Sequence, residues 1–183
     1  MLVSGEAALQ RFDRLNAANC CHERSLPGPL LTVKRLHVPP EGSVFLVPLS
    51  NGQYAIGVLV RANGEGGAYG LFFGPPTDGP QHLDVQALTP ETALLRCKFG
   101  DFGLVRGRWR VIGRIDRWEQ TRWPLPLFSR GHDDPSLRFV SEYNDALQLR
   151  SEKILQAADA QNLPEDAQFG SGVVETKLSR LLL

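Results

Sequence analysis

The fold of this protein is decided between residues 44 and 61, which read VFLVPLSNGQYAIGVLVR. Valine, isoleucine, phenylalanine and tyrosine, which strands favour, fill both halves of this segment. The Asn51-Gly52 pair lies between the halves and suits the positive φ angles of a tight hairpin turn. We therefore predict that Val44–Leu49 and Gln53–Arg61 pair as antiparallel strands.

Further short apolar runs continue this pattern toward the C-terminus. A third run, Ala68–Phe73, should end at the proline-rich residues 74–80, because proline lacks the amide hydrogen that a strand ladder needs. More runs lie at Ala93–Phe99, Leu104–Arg106 and Arg108–Ile115. Many short strands with glycine- and proline-rich turns predict an α+β, β-rich fold. We expect a curled antiparallel sheet or a partly open small barrel with flanking helices, including a C-terminal helix.

The N-terminal residues differ in character from this β-rich part. Apolar side chains recur at helical spacing and predict a short helix over about residues 5–18. Two prolines and a glycine within residues 25–29 indicate a linker. We therefore divide the chain into an N-terminal helix or extension, residues 1–30, and a single β-rich domain, residues 31–183.

The C-terminal part combines strand and helix signals. Residues 136–143 fit either a strand or the start of a helix. Residues 151–160 are rich in alanine and charge, which favours a helix. A last helix should begin near Ser171 or Gly172, either of which is a suitable cap. Its predicted apolar face holds Val174, Leu178 and Leu181.

The composition limits the cellular setting and the class of partner. The formal net charge is zero and the pI is about 6.9, so the basic excess typical of nucleic-acid-binding proteins is missing. Three cysteines, Cys20, Cys21 and Cys97, are an unsuitable set for a disulfide framework and indicate reduced thiols. The sequence has no apolar run of about 18 residues and no signal-peptide pattern. We expect a cytoplasmic protein without a membrane partner.

Charge is distributed unevenly along the second half of the chain. Residues 96–130 carry nine bases and three acids, and residues 131–170 carry eight acids and three bases. The favoured interpretation is that the two segments are solvated faces that pair with each other. The alternative is a bipolar surface used in binding.

Catalytic and metal-binding patterns are weak throughout. The four histidines are far apart, and Cys20-Cys21-His22 is a single cluster where a structural zinc site needs further ligands. The run His132-Asp133-Asp134 also lacks further regularly spaced ligands. A nucleophilic pair between Cys97 and a distant histidine is a minor alternative. We predict no catalytic residues, no metal site and no cofactor.

Three tryptophans interleave with arginines between residues 96 and 130. Strand alternation favours core positions for Trp109 and Val111. Trp118 and Trp123 flank a polar stretch, so we expect them to be exposed binding aromatics. Exposed tryptophans among arginines can also stack on single-stranded nucleic acid. A nucleic-acid-binding barrel that uses segment 96–130 is therefore the alternative function.

Four motifs together resemble the Immunity protein 26 family. GSVFLVPL (residues 42–49) and NGQYAIGVL (residues 51–59) resemble its opening hairpin, although Ser43 stands where the family commonly has aspartate. GRWRVIG (residues 107–113) resembles its tryptophan strand, and PLPLF (residues 124–128) the segment after that strand. GVVETKL (residues 172–178) resembles its terminal helix. The order and spacing agree over about residues 33–182.

This resemblance implies a bacterial immunity protein that neutralises a polymorphic toxin and is not an enzyme. The expected partner is the cognate toxin domain, whose active site the protein would occlude. The charge count alone, and not the resemblance, motivates the further hypothesis that the acidic region 131–166 faces a basic nuclease toxin and mimics the charge of its substrate. The predicted partner-binding residues are Trp118, Trp123, Asp133, Asp134, Glu142 and Asp145.

Overall fold

The structure is a computed structural model that describes residues 37–81 and 83–183. The predicted helix over residues 5–18 and the predicted domain boundary at residue 30 lie outside the described residues and stay predictions. The described elements are β1 (Ser43–Pro48), β2 (Tyr54–Ala62), β3 (Gly67–Thr77), β4 (Leu95–Gly100), α1 (Phe102–Val105), β5 (Arg110–Arg114), β6 (Phe128–Gly131), β7 (Leu137–Tyr143), β8 (Leu149–Gln156), β9 (Gln168–Phe169) and α2 (Ser171–Leu182).

The strands form two sheets. The main sheet has six strands in the order β5-β1-β2-β3-β4-β9, and the second sheet has three in the order β6-β7-β8. Every pairing is antiparallel except that of β4 with the short β9, which is parallel. The sheets do not close into a barrel, so the open form of the predicted α+β fold, with its C-terminal helix, is confirmed.

The predicted hairpin is confirmed as β1 and β2. Leu46 lies opposite Ile56 in the ladder, and the Leu49 amide donates to the Gln53 carbonyl at 2.8 Å. Gly52 has a φ of +87°, which a glycine adopts without steric cost. The local turn chemistry therefore fixes the register of the two central strands.

One face of the main sheet packs against α2. The rings of Phe45 and Trp109 are stacked 5.5 Å apart with an interplanar angle of 4°. Val174 and Leu178 of α2 are fully buried in the same cluster. The predicted core position of Trp109 is confirmed, because its side chain has no exposed area.

The opposite face of the main sheet is covered by the second sheet and by loops. Tyr69 contacts Phe128 of β6 with ring centroids 5.6 Å apart, and Phe128 contacts Tyr143 of β7. Trp123 belongs to the same buried cluster. Both faces of the main sheet are therefore buried, which leaves its edges, its loops, the outer side of α2 and the outer parts of the second sheet for contact with a partner.

The predicted helix over residues 151–160 is wrong. Leu149–Gln156 form β8, which pairs along its length with β7, and turns follow. The prediction relied on local helix propensity, and the ladder to β7 outweighs that propensity. The same ladder shows that residues 137–143 are a strand.

Three smaller predictions also need correction. Leu104 lies in the short helix α1 and not in a strand. β3 continues to Thr77, because the register shift between Phe73 and Thr77 accommodates the two prolines. α2 is preceded by Gly170 without a side-chain cap, and Leu181 on its last turn is 57% exposed.

Candidate partner-binding site

The tryptophan strand and the terminal helix meet at one buried contact. The indole Nε1 of Trp109 donates to Glu175 Oε1 at 2.8 Å, and Arg108 donates to the other carboxylate oxygen. The Glu175 side chain is 12% exposed. This carboxylate satisfies the one polar atom of a fully buried tryptophan, so the contact fastens α2 to the sheet. Its role in the described fold is structural.

A second polar contact joins both sheets to the segment before β9. Lys98 of β4 donates to Asp166, and the Tyr143 hydroxyl of β7 donates to the same oxygen at 2.9 Å. Burial opposes ionisation of Asp166, but the hydrogen bonds, with that from Lys98 the largest, hold its pKa below the ordinary value. The Lys98 ammonium also lies 3.7 Å from the Tyr143 ring centroid. The polar groups of Lys98, Tyr143 and Asp166 therefore contact one another and stabilise the fold.

The expectation that Trp118 and Trp123 are exposed is wrong. Trp123 is 4% exposed, and Trp118 is half-buried with its ring centroid 5.2 Å from that of Trp123. The Trp118 ring lies over Gly42, where an added Cβ would come within 2.8 Å of it. These tryptophans help to cover the second face of the sheet, because both pack against the cluster of buried side chains on that face.

The four acidic candidates are exposed but do not form one patch. Asp133 and Asp134 lie in the turn between β6 and β7, Glu142 is on β7, and Asp145 lies in the turn to β8. The seven residues of β7 separate the two turns, which corresponds to about 23 Å. The structure therefore places the candidates at opposite ends of the second sheet.

Most of the acidic segment is neutralised by neighbouring bases. Asp145 accepts from Arg61 Nε at 2.7 Å, and Glu142 lies 3.8 Å from Arg150. Hydrogen bonds from Ser136 occupy Asp134 and lower its pKa. The five acids of residues 131–170 that form ion pairs are Glu142, Asp145, Glu152, Glu165 and Asp166.

The basic segment has the opposite character. Of its bases, those with an acidic partner among the described residues are Lys98, Arg108 and Arg130. Two ion pairs, Lys98–Asp166 and Arg130–Glu152, connect the basic and acidic segments, so their predicted mutual pairing holds in part. The bases without an ion pair to a described residue are Arg96, Arg106, Arg110, Arg114, Arg117 and Arg122.

Two apolar side chains near these arginines are exposed, and one of them, Val111, was predicted to be buried. Val111 of β5 is 43% exposed, although strand alternation assigned it to the core with Trp109. Phe102 of α1 is 57% exposed, and the Arg106 guanidinium lies 4.4 Å from its ring centroid. The position of β5 at the sheet edge explains the exposure of Val111, and strand alternation alone does not reveal which strand is an edge.

Two candidate reactive features, a metal-ligand cluster and the Cys97 thiol, can be compared with the part of the chain that the structure describes. Residues 37–81 and 83–183 hold no group of three metal-ligating side chains. Cys97 is 1% exposed, and burial raises the pKa of its thiol to about 12. At neutral pH this thiol is protonated and unsuited to nucleophilic attack.

None of the described helices is long and apolar enough to cross a membrane.

Comparison with known proteins gives one positive result. Residues 40–136, more than half of the chain, match the model of the family Immunity protein 26. No curated protein and no solved structure matches the chain. The matched residues run from the turn before β1 to the turn after β6, and so include the hairpin and the tryptophan strand. On this match the chain belongs to the Immunity protein 26 family, the immunity proteins of toxin systems.

Proposed function

We propose that this protein binds a cognate bacterial toxin domain and neutralises it by covering the toxin's active site. The observation that carries the proposal is the family match over residues 40–136. Membership of the Immunity protein 26 family indicates that the protein belongs to a toxin system. Occlusion of the toxin's active site is the mechanism that we propose in addition. It requires a preformed surface on the immunity protein and no chemistry of its own.

The fold supports binding rather than catalysis. Both faces of the main sheet are buried, and four aromatic rings, those of Phe45, Phe72, Phe99 and Trp109, pack against one another on one side. Such packing holds the strand edges and loops in fixed positions, which lowers the entropic cost of forming an interface. The buried, protonated Cys97 adds no reactive group to that surface.

We further propose that neutralisation takes place in the cytoplasm. Within the described residues Cys97 is a free, buried thiol. Thiols persist in the reducing cytoplasm, where a producing cell would need protection from its own toxin. Each protein molecule would protect by holding one toxin molecule.

The test is growth rescue together with co-purification. The prey is the C-terminal domain encoded by the neighbouring toxin gene, used active for growth and with its active site inactivated for binding. The inactivated domain separates binding from toxicity. We expect restored growth and a stable complex with the inactivated domain. Unrestored growth and no complex, with folded protein and a demonstrably toxic prey, would contradict the proposal.

Binding of single-stranded nucleic acid is a second candidate function. The arginines of segment 96–130 that have no ion pair to a described residue favour this function. The burial of Trp123 and partial burial of Trp118 remove the stacking platform that it was expected to use. A mobility-shift assay at low salt tests it directly. Retardation that disappears on replacing Arg110 and Arg114 by glutamate would support this function, and no retardation at low salt would exclude it.

A further inference from the structure

We propose that the toxin docks on the β5 edge of the main sheet and presents an acidic surface to it. We call this surface the arginine edge, and define it as Arg106, Arg110, Val111, Arg114 and Arg117. The inference rests on the proposed function and specifies where the partner binds and with what chemistry.

The charge balance of the described residues points to this edge. Residues 106–117 carry five arginines and one acid, Asp116, and only Arg108 among them has a carboxylate partner in the described part of the chain. The side chains of Arg110, Arg114 and Arg117 are exposed. The acidic segment, in contrast, is largely neutralised by ion pairs. Uncompensated positive charge is therefore concentrated here, and an acidic partner surface complements it.

The arginine edge also has the composition of a protein interface. Val111 is 43% exposed between Arg110 and Arg114. The neighbouring Phe102 is 57% exposed and carries Arg106 across its ring. Arginine and aromatic side chains are enriched at protein interfaces, and partly exposed apolar groups among them supply area that a partner can bury.

The backbone of β5 favours docking through side chains over the addition of a partner strand. Ile112 is an extra residue in the pairing with β1, because Val44 lies opposite Gly113 and Phe45 opposite Val111. Such bulges at a sheet edge disrupt regular strand pairing. The Gln86 side chain donates to the Arg114 carbonyl at 3.3 Å and accepts from the Asp116 amide at 2.9 Å, so it occupies part of that edge.

A protein partner fits these observations better than a nucleic acid. The formal net charge of the chain is zero, whereas affinity for nucleic acid comes largely from an excess of basic groups. Trp123 is buried and cannot stack on bases. Family membership supplies a protein as the partner.

The test compares two variants with the same change in charge. Arg110→Glu with Arg114→Glu reverses the arginine edge, and Arg150→Glu with Lys153→Glu reverses two exposed bases of β8. Arg110→Glu alone is the second test variant, because the Arg110 side chain forms no hydrogen bond or ion pair with another described residue and only its backbone pairs with β1. Binding to the inactivated toxin domain is measured by titration calorimetry at about 0.05 M and about 0.5 M salt, with thermal unfolding as the folding control.

We expect the double reversal at the arginine edge to weaken binding by at least about tenfold and to flatten its salt dependence. The β8 control should stay within about threefold of the unchanged protein, as expected for charges outside the interface. If the unchanged protein binds and both double variants bind equally well, the arginine edge is overturned while the proposed function stands. If the unchanged protein does not bind, both fail. Loss of oligonucleotide binding with intact toxin binding in the edge variants also overturns the inference, in favour of nucleic acid.

Discussion

Replacing Glu175 by alanine tests whether the contact with Trp109 holds the terminal helix in place. The substitution leaves the buried indole N–H without its acceptor at 2.8 Å, and an unpaired buried donor costs about 1–3 kcal/mol. Loss of the ion pair to Arg108, which is 59% exposed, adds between about 0 and 1 kcal/mol. We therefore expect the free energy of unfolding to fall by about 2 kcal/mol. With an m-value of about 2 kcal/mol/M, the urea midpoint falls by about 1 M.

Two controls separate the indole hydrogen bond from the ion pair. Arg108→Ala keeps the acceptor for Trp109 and should cost less than about 1 kcal/mol. In a Trp109→Phe background, which has no indole donor, Glu175→Ala should cost about 1 kcal/mol less than in the unchanged protein. Equal costs of Glu175→Ala in the two backgrounds would refute the reasoning, and so would a cost below about 0.5 kcal/mol in the unchanged protein.

Three further predictions follow from buried groups. Asp166→Asn should lower the free energy of unfolding at neutral pH. Because the pKa of Asp166 is depressed in the native protein, the difference in this free energy between the variant and the unchanged protein should shrink as pH falls below about 4. Urea unfolding at about pH 7 and about pH 3 would measure this difference, and an equal difference at both pH values would contradict the prediction. With the other two cysteines replaced by serine, Cys97 should react with a thiol reagent only in denaturant, and rapid labelling of the native protein would contradict its burial. Gly57→Ala should lower the free energy of unfolding by about 1–3 kcal/mol, because the new Cβ would lie 2.3 Å from the ring of Phe45. Gly131→Ala is the control and should not show that loss, because the space around Gly131 is open.

The strands that the sequence predicted well are those with local signals. The Asn51-Gly52 turn and its β-branched flanks identified β1 and β2 together with their pairing. The strand β8 was missed because residues 151–160 carry helix-forming side chains, whereas the ladder to β7 makes Leu149–Gln156 extended. Secondary-structure propensity depends on residues that are close in sequence, whereas the strand β8 depends on its pairing with β7.

The side-chain contacts between the tryptophan strand and α2 were less predictable, because the residues that form them are distant in sequence. Trp109 and Glu175 are 66 residues apart, and a hydrogen bond over that separation has no periodic signal. The motif resemblance placed both residues in the family pattern but gave no contact between them. The burial of Trp123 likewise depends on how residues 124–128 return to the core, which the proline spacing alone does not fix.

The structure also shows which of the predicted charged groups form ion pairs. Counting residues identified a basic and an acidic segment, and the acidic segment was the expected partner surface. Ion pairs with Arg61, Lys98, Arg130, Arg150 and Lys177 engage much of it. Asp133 and Asp134 stay exposed and without ion pairs to described residues, at one end of the second sheet. The arginine edge therefore presents the larger uncompensated charge.

The most direct test of the account is a titration of the purified toxin domain's activity with this protein. Stoichiometric neutralisation predicts that activity falls in proportion to added protein and reaches its minimum at one equivalent, with the complex isolated by size exclusion. Complete loss of activity at a small fraction of an equivalent would show that the protein inactivates the toxin catalytically. Unchanged activity in the presence of excess folded protein would contradict neutralisation by binding.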